Sequence, residues 1–225
     1  MKVSGFEKLS LVDFEGKIGS TIFLNGCNFR CPFCHNALLI YSTAPEIEFE
    51  EVLAYLKKRK GIIEAVCITG GEPAVNPHLR EIVVELKKIG MYVKLDTNGS
   101  KFEIVKELLE EGLVDYVAMD IKNSFTNYGK TIGGTKLGDV EKTMKWLMNS
   151  GYDYEFRTTL VKELHTEEDI YEMKKMLTGA KRLYLQKFDD HNGDIKNLSC
   201  INIEEANKFK DILSESIGEV HLRGY

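Results

Sequence analysis

Three of the chain's five cysteines fall within eight residues, as Cys27, Cys31 and Cys34. The spacing C-x3-C-x2-C, set in a loop, suits thiolate ligation of a soft metal or an iron–sulfur cluster. Three thiolates bind three irons of a cubane and leave the fourth open to another ligand, whereas a structural cluster usually has four cysteines. The competing reading is a zinc site with His35 as fourth ligand, in a zinc-stabilised binding module without catalysis. His35 directly follows Cys34, which strains a shared tetrahedron, and no second C-x2-C or histidine pair follows. Cys67 and Cys200 read as small, buried thiols.

Further residues able to do chemistry cluster in short segments. These are Thr69-Gly70-Gly71-Glu72-Pro73, Asp96-Thr97-Asn98-Gly99, Asp120-Ile121-Lys122, Arg157 and Gln186-Lys187. Taken singly, each has a plain structural reading: a glycine turn, an Asn/Asp cap, or a salt bridge at a strand end. Arg157 alternates with Glu155 and Thr159, so it would pair with Glu155, another acid or a ligand carboxylate. Gly129-Lys130-Thr131 resembles the end of a phosphate-binding loop. Position 124 is Ser where that motif needs Gly.

The elements that must carry these segments read as alternating strands and helices. Strands are expected at 20–24, 65–69, 91–95, 116–119, 154–159 and 182–185, with a last one at 219–222. Helices are expected at about 48–60, 77–89, 102–111, 140–149 and 203–216, with another opening at Thr166, where Asp169 completes a capping box. Such alternation implies βαβ units and a parallel sheet. Right-handed crossovers place all strand C-terminal ends on one side. The chemistry-bearing segments follow those ends. About six units are too few for the eight of a closed barrel, so a partial barrel open along one side is expected. A flat doubly wound sheet is the alternative. Period-2 alternation puts Asp120 and Lys122 on one strand face.

With 225 residues, 43% of them hydrophobic, the chain can bury a sizeable core. A net charge of −5 gives no electrostatic footprint for nucleic acid. No apolar run approaches the roughly 20 residues that span a bilayer, and the N-terminus lacks a signal-peptide core. A cytoplasmic enzyme is the expectation.

The segment from Cys27 to Asn36 resembles the signature of radical SAM enzymes, specifically of glycyl-radical-enzyme activases. Similar matches occur at Leu11–Lys17, Ile68–Pro73, Lys94–Ser100 and Val114–Lys122, which resemble the activases of anaerobic ribonucleotide reductase. The resemblance implies one radical SAM domain over 1–225, with a (β/α)6-type partial barrel and oxidoreductase activity. It implies a [4Fe–4S] cluster on Cys27, Cys31 and Cys34 that cleaves S-adenosylmethionine to a 5′-deoxyadenosyl radical. That radical would take hydrogen from a backbone glycine of a partner enzyme. Gly70 and Gly71 would approach the methionine part of the ligand, and Glu72 its ammonium. Asp96, with Thr97 beside it, and Asp120 would hold a monovalent cation near the ligand carboxylate. Lys122 and Arg157 would add positive charge there, and Phe33 would pack on adenine or shield the cluster. A flavodoxin or ferredoxin would supply electrons. Relatives of the pyruvate formate-lyase type carry a His after the sixth strand where this chain has Gln186-Lys187. An activase of that type, or a radical SAM enzyme acting on a small molecule, is the alternative within the class.

Overall fold

The computed structural model describes residues 1–14, 16–41, 43–189, 195 and 197–225. Glu15, inside the Leu11–Lys17 motif, lies outside the described residues. Along the chain run β1 (Lys2–Val3), β2 (Gly5–Ser10), β3 (Gly19–Leu24), α1 (Ala37–Ile40), β4 (Ile47–Glu48), α2 (Phe49–Lys58), β5 (Ala65–Gly70), α3 (Leu79–Lys88), β6 (Tyr92–Thr97) and α4 (Phe102–Glu110). Then come β7 (Tyr116–Asp120), α5 (Tyr128–Thr131), α6 (Val140–Ser150), β8 (Tyr154–Leu160), α7 (Glu167–Met176), β9 (Arg182–Lys187), α8 (Ile203–Ser214) and β10 (Glu219–Arg223). Each expected strand and helix is present, with ends moved by one or two residues. The short elements β1, β2, β4, α1 and α5 were not expected.

Contacts divide the chain into two compact units. One comprises Met1–Asn28, Asn36–Ala118 and Asp139–Thr143; the other comprises Phe29–His35, Met119–Gly138 and Met144–Tyr225. In the first, β2 pairs antiparallel with β3, and β3, β5 and β6 follow in parallel. Register aligns Ile22, Ile68 and Leu95 in one row, all fully buried, and Thr21, Cys67 and Lys94 in the row beside it. Because successive side chains alternate between faces, these two rows lie on opposite sides of the sheet. Helix α3 buries Leu79, Ile82, Val83 and Leu86, and α4 buries Phe102, Val105, Leu108 and Leu109. Spacings of i, i+3, i+4 and i+7 in α3 and i, i+3, i+6 and i+7 in α4 make one apolar stripe per helix. Burial stabilises by about 1.5–3 kcal/mol for each large apolar side chain.

In the second unit β8, β9 and β10 run parallel. Phe156, Leu183 and Val220 align in one buried row, and Arg157, Tyr184 and His221 in the alternate one. Helix α7 begins at the expected capping box, Thr166 accepting from the Asp169 amide and Asp169 from the Thr166 amide. Strand β7 carries the chain from the first unit into the second. Among the described residues β2 and β10 lie at the two edges of the mostly parallel sheet, which is not closed, as expected. Among the described residues, no helix is long and apolar enough to cross a membrane.

Candidate functional site

In the first unit the loop after β3 is pressed against the loop after β5. Gly71 N–H donates to the Leu24 carbonyl at 2.9 Å, and Glu72 N–H to the Gly26 carbonyl at 2.7 Å. Only glycine permits this approach. A Cβ on Gly70, whose φ is +121°, would lie 2.4 Å from the Leu24 carbonyl oxygen. A Cβ on Gly71 would lie 2.0 Å from the Gly26 oxygen and 3.3 Å from the Cys27 Cβ. The two glycines therefore set the backbone that presents Cys27.

Glu72 is 1% exposed, and its carboxylate ties the turn after β5 to the end of β6. Oε1 accepts from Ala74 N–H at 3.0 Å and from the Thr97 hydroxyl at 2.7 Å, while Oε2 accepts from Asn98 N–H at 2.5 Å. Asn98 Nδ2 donates to Asn28 Oδ1 at 3.0 Å, and Asn28 Nδ2 to Ser100 Oγ at 2.8 Å. Glu72 is thus connected through Asn98 to the residue that follows Cys27. Asn28, Asn98 and Ser100 received no role from the sequence, although all three lie inside its motifs.

Asp96 and Thr97 end β6 rather than opening the turn beyond it. Lys94 Nζ lies 3.4 Å from Asp96 Oδ1 and donates to the Asp13 carbonyl at 2.6 Å. The Asp13 carboxylate in turn accepts from the Thr21 hydroxyl. Lys94 was also given no role, and the pattern Lys94-Leu95-Asp96 was the available signal.

The second unit carries Cys31 and Cys34, joined by a turn in which Cys34 N–H donates to the Cys31 carbonyl at 3.1 Å. Phe33 is buried with Val161, Leu164 and Phe188, and Cys31 packs against that cluster. His35 stacks on Phe188 with ring centroids 5.6 Å apart. The loop also approaches Gly133, where a Cβ would lie 2.1 Å from the Arg30 carbonyl oxygen.

Asp120, Lys122 and Arg157 form one ionic cluster. Lys122 Nζ lies 2.7 Å from Asp120 Oδ2, and Arg157 Nε donates to Asp120 Oδ1 at 2.9 Å. Arg157 thus takes Asp120 as its acid, while Glu155 lies 3.8 Å from Arg223. Burial by itself would raise the Asp120 carboxyl, but Arg157 and Lys122 outweigh it and hold the group down at about 2. Lys122 Nζ also stands 5.7 Å from the Phe33 ring centroid. Burial pushes the Cys31 thiol up, and the Lys122 charge opposes that rise.

The backbone after β7 is fixed by two buried side chains. The Tyr128 hydroxyl accepts from Lys122 N–H at 3.1 Å. His165 Nε2 lies 2.9 Å from the Lys122 carbonyl. A carbonyl only accepts, so Nε2 carries the proton and Nδ1 accepts from Val161 N–H at 3.0 Å. Burial lowers the His165 pKa, keeping the ring neutral. Gln186 and Lys187 end β9, with Gln186 opposite Arg223 of β10.

Cys67 is buried as expected, but Cys200 is exposed. Cys200 lies outside the named strands, in a segment joined to Val161 by an isolated bridge, rather than in a strand or helix packed on the core. None of the five cysteines is joined in a disulfide, and Cys27, Cys31 and Cys34 are each partly buried. Among the described residues no three His, Cys, Asp or Glu side chains converge on a single-ion site. An iron–sulfur cluster bonds each thiolate to a different iron, so its ligands need not meet at one point. Three reduced, half-sheltered thiols on one eight-residue loop fit that donor set.

Comparison with known proteins agrees. The model of the radical SAM superfamily matches residues 21–177, more than half of the chain. A Methanocaldococcus jannaschii protein, provisionally named as a glycyl-radical enzyme activating enzyme, is 30% identical over 233 residues, covering 98% of this chain and 95% of its own. The pyruvate formate-lyase-activating enzyme of Clostridium pasteurianum is 25% identical over 234 residues, covering 95% and 97%. A crystallised domain of the pyruvate-formate lyase-activating enzyme of Bacteroides vulgatus superposes with a TM-score of 0.60 at 17% identity, over 72% of this chain and 99% of that one. Membership of this family implies a [4Fe–4S] cluster and S-adenosylmethionine as cofactors, in place of the zinc reading. With its cysteine loop, its open parallel sheet and a family match across both units, this chain belongs to the radical SAM superfamily.

Proposed function

We propose that the protein is an activase that generates a glycyl radical on a partner enzyme, with anaerobic ribonucleotide reductase as the partner. The observation that carries this reading is the three-cysteine loop, whose backbone is bonded to the Gly70-Gly71-Glu72 segment, in a chain related along almost its whole length to proteins named as activating enzymes. Cys27, Cys31 and Cys34 would hold the cluster, which would supply the electron for reductive cleavage of S-adenosylmethionine and so the hydrogen-abstracting chemistry that glycyl-radical formation needs.

The chain's own residues hold and orient. Cys27, Cys31 and Cys34 supply three thiolates. Gly70 and Gly71 bring backbone groups close to the cysteine loop, and Glu72 holds Thr97 and Asn98 in register and would take the ligand ammonium as a further partner. Lys122 and Arg157 offer charge-assisted bonds to the ligand carboxylate, with Asp120 keeping both cations in place. Phe33 shelters Cys31 from water. A flavodoxin or ferredoxin fits as electron donor.

The relatives named for pyruvate formate-lyase favour a second reading, in which the partner is an enzyme of that type. One experiment separates the two. The reconstituted protein is mixed anaerobically with S-adenosylmethionine, a reductant and each candidate partner, and the glycyl radical is sought by electron paramagnetic resonance. A radical on the reductase alone supports the first reading, and a radical on the lyase alone supports the second. No radical on either partner, with S-adenosylmethionine still cleaved, would place the protein among radical SAM enzymes acting on small molecules.

A further inference from the structure

The resemblance assigns Asp96 and Asp120 to a monovalent metal cation, yet both carboxylates already have a cation built into the chain. In each case a lysine lies two residues away on the same strand or its end, as Lys94-Leu95-Asp96 in β6 and Asp120-Ile121-Lys122 at the end of β7. Side chains two apart on a strand share a face, which puts Lys94 beside Asp96, and just past the end of β7 the Lys122 ammonium reaches back to Asp120 at 2.7 Å.

In the first unit Lys94 Nζ stands 3.4 Å from Asp96 Oδ1, with the two side chains 5% and 12% exposed. Lysine is almost never this buried unless paired. The ammonium is further fixed by its 2.6 Å bond to the Asp13 carbonyl, and Asp13 is held through its carboxylate by Thr21. In the second unit the ionic contacts of Asp120 use both oxygens, Oδ2 with Lys122 and Oδ1 with Arg157. A metal ion would bring a second positive charge to Asp96 and a third to Asp120. It would also shed its water to do so, whereas the ammonium groups are already in place. These residues therefore do not fit a monovalent metal ion.

We propose that Lys94 and Lys122 serve as built-in counter-cations, so that this protein binds S-adenosylmethionine without any monovalent metal ion. Lys94 is a positioning residue in this scheme: it acts through Asp96. The inference rests on the radical SAM reading of the site.

The test measures binding rather than turnover. The full chain is reconstituted anaerobically, and S-adenosylmethionine is titrated calorimetrically at matched ionic strength. Tetramethylammonium is the only cation in one arm, and sodium or potassium replaces it in the others. The parent should bind equally in all arms, within about twofold. Lys94→Met should bind roughly tenfold more weakly in tetramethylammonium and recover with sodium or potassium, which then take the vacated place beside Asp96. A roughly tenfold gain for the parent on adding either metal ion overturns the proposal. So does a folded Lys94→Met protein that matches the parent in tetramethylammonium, or one that neither metal ion restores. If Lys94→Met fails to fold by circular dichroism, the parent's response to the cations decides alone. A parent that binds no S-adenosylmethionine in any arm contradicts the proposed function instead.

Discussion

Asp120 shows how a site residue takes its charge from its neighbours. Arg157 and Lys122 hold its carboxyl at about 2, below the ordinary aspartate value of about 3.9. A carboxyl depressed by folding binds fewer protons in the folded state than in the unfolded chain. Its contribution is therefore complete above the unfolded value and is lost as pH falls from about 4 toward 2. The shift corresponds to roughly 2–3 kcal/mol at neutral pH. Asp120→Asn should lower stability at pH 7 by at least that amount, since two cations lose their partner. It should also flatten the acid limb of the stability curve, read from urea unfolding at pH 7, 5 and 3. An unchanged acid limb would show that Asp120 is not the depressed group. At this scale the sequence was partly legible. Period-2 spacing put Asp120 with Lys122, but Arg157 could be joined to its acid only once β7 and β8 were in register. Lys94 escaped because a lone lysine in a strand reads as a solvent-facing residue until its neighbours are known to bury it.

The elements that carry the chemistry are strand ends brought to backbone contact. The β3 and β5 loops approach so closely that Gly71 has no room for a side chain. Gly71→Ala should push the Gly26 carbonyl away, costing about 1–3 kcal/mol as overpacking does, and should displace Cys27. The measurements are bound iron per chain after reconstitution and the thermal midpoint. Both should fall, and parent-like values of both would mean that the approach is not needed to present the cysteine. The sequence showed a glycine turn here and assigned it to ligand contact. Its role against the cysteine loop needed the pairing of Leu24 with Gly70. Regular strands and helices were legible because their apolar periods are strong. Strand β2, Gly-Phe-Glu-Lys-Leu-Ser, was missed because it is half polar and pairs at a sheet edge, where burial imposes little pattern. The two-residue strands β1 and β4 are too short to show any period.

At the scale of the molecule, the expected open α/β sheet is present and the family is shown, while the choice of partner rests on motif resemblance. Partner choice depends on surfaces that meet another protein, and no residue pattern within one chain encodes that other surface. Cys200 lies outside the regular strands and helices and is exposed, and apolar periodicity says nothing about a residue in such a segment. The radical chemistry itself depends on three thiolates acting as a set. The most direct measurement reconstitutes the protein anaerobically with iron and sulfide, adds dithionite and S-adenosylmethionine, and quantifies 5′-deoxyadenosine. The parent and Cys200→Ala should form it, while Cys27→Ala, Cys31→Ala and Cys34→Ala should form none. Full product from any of those three variants, or none from a parent that holds four irons, would contradict the account.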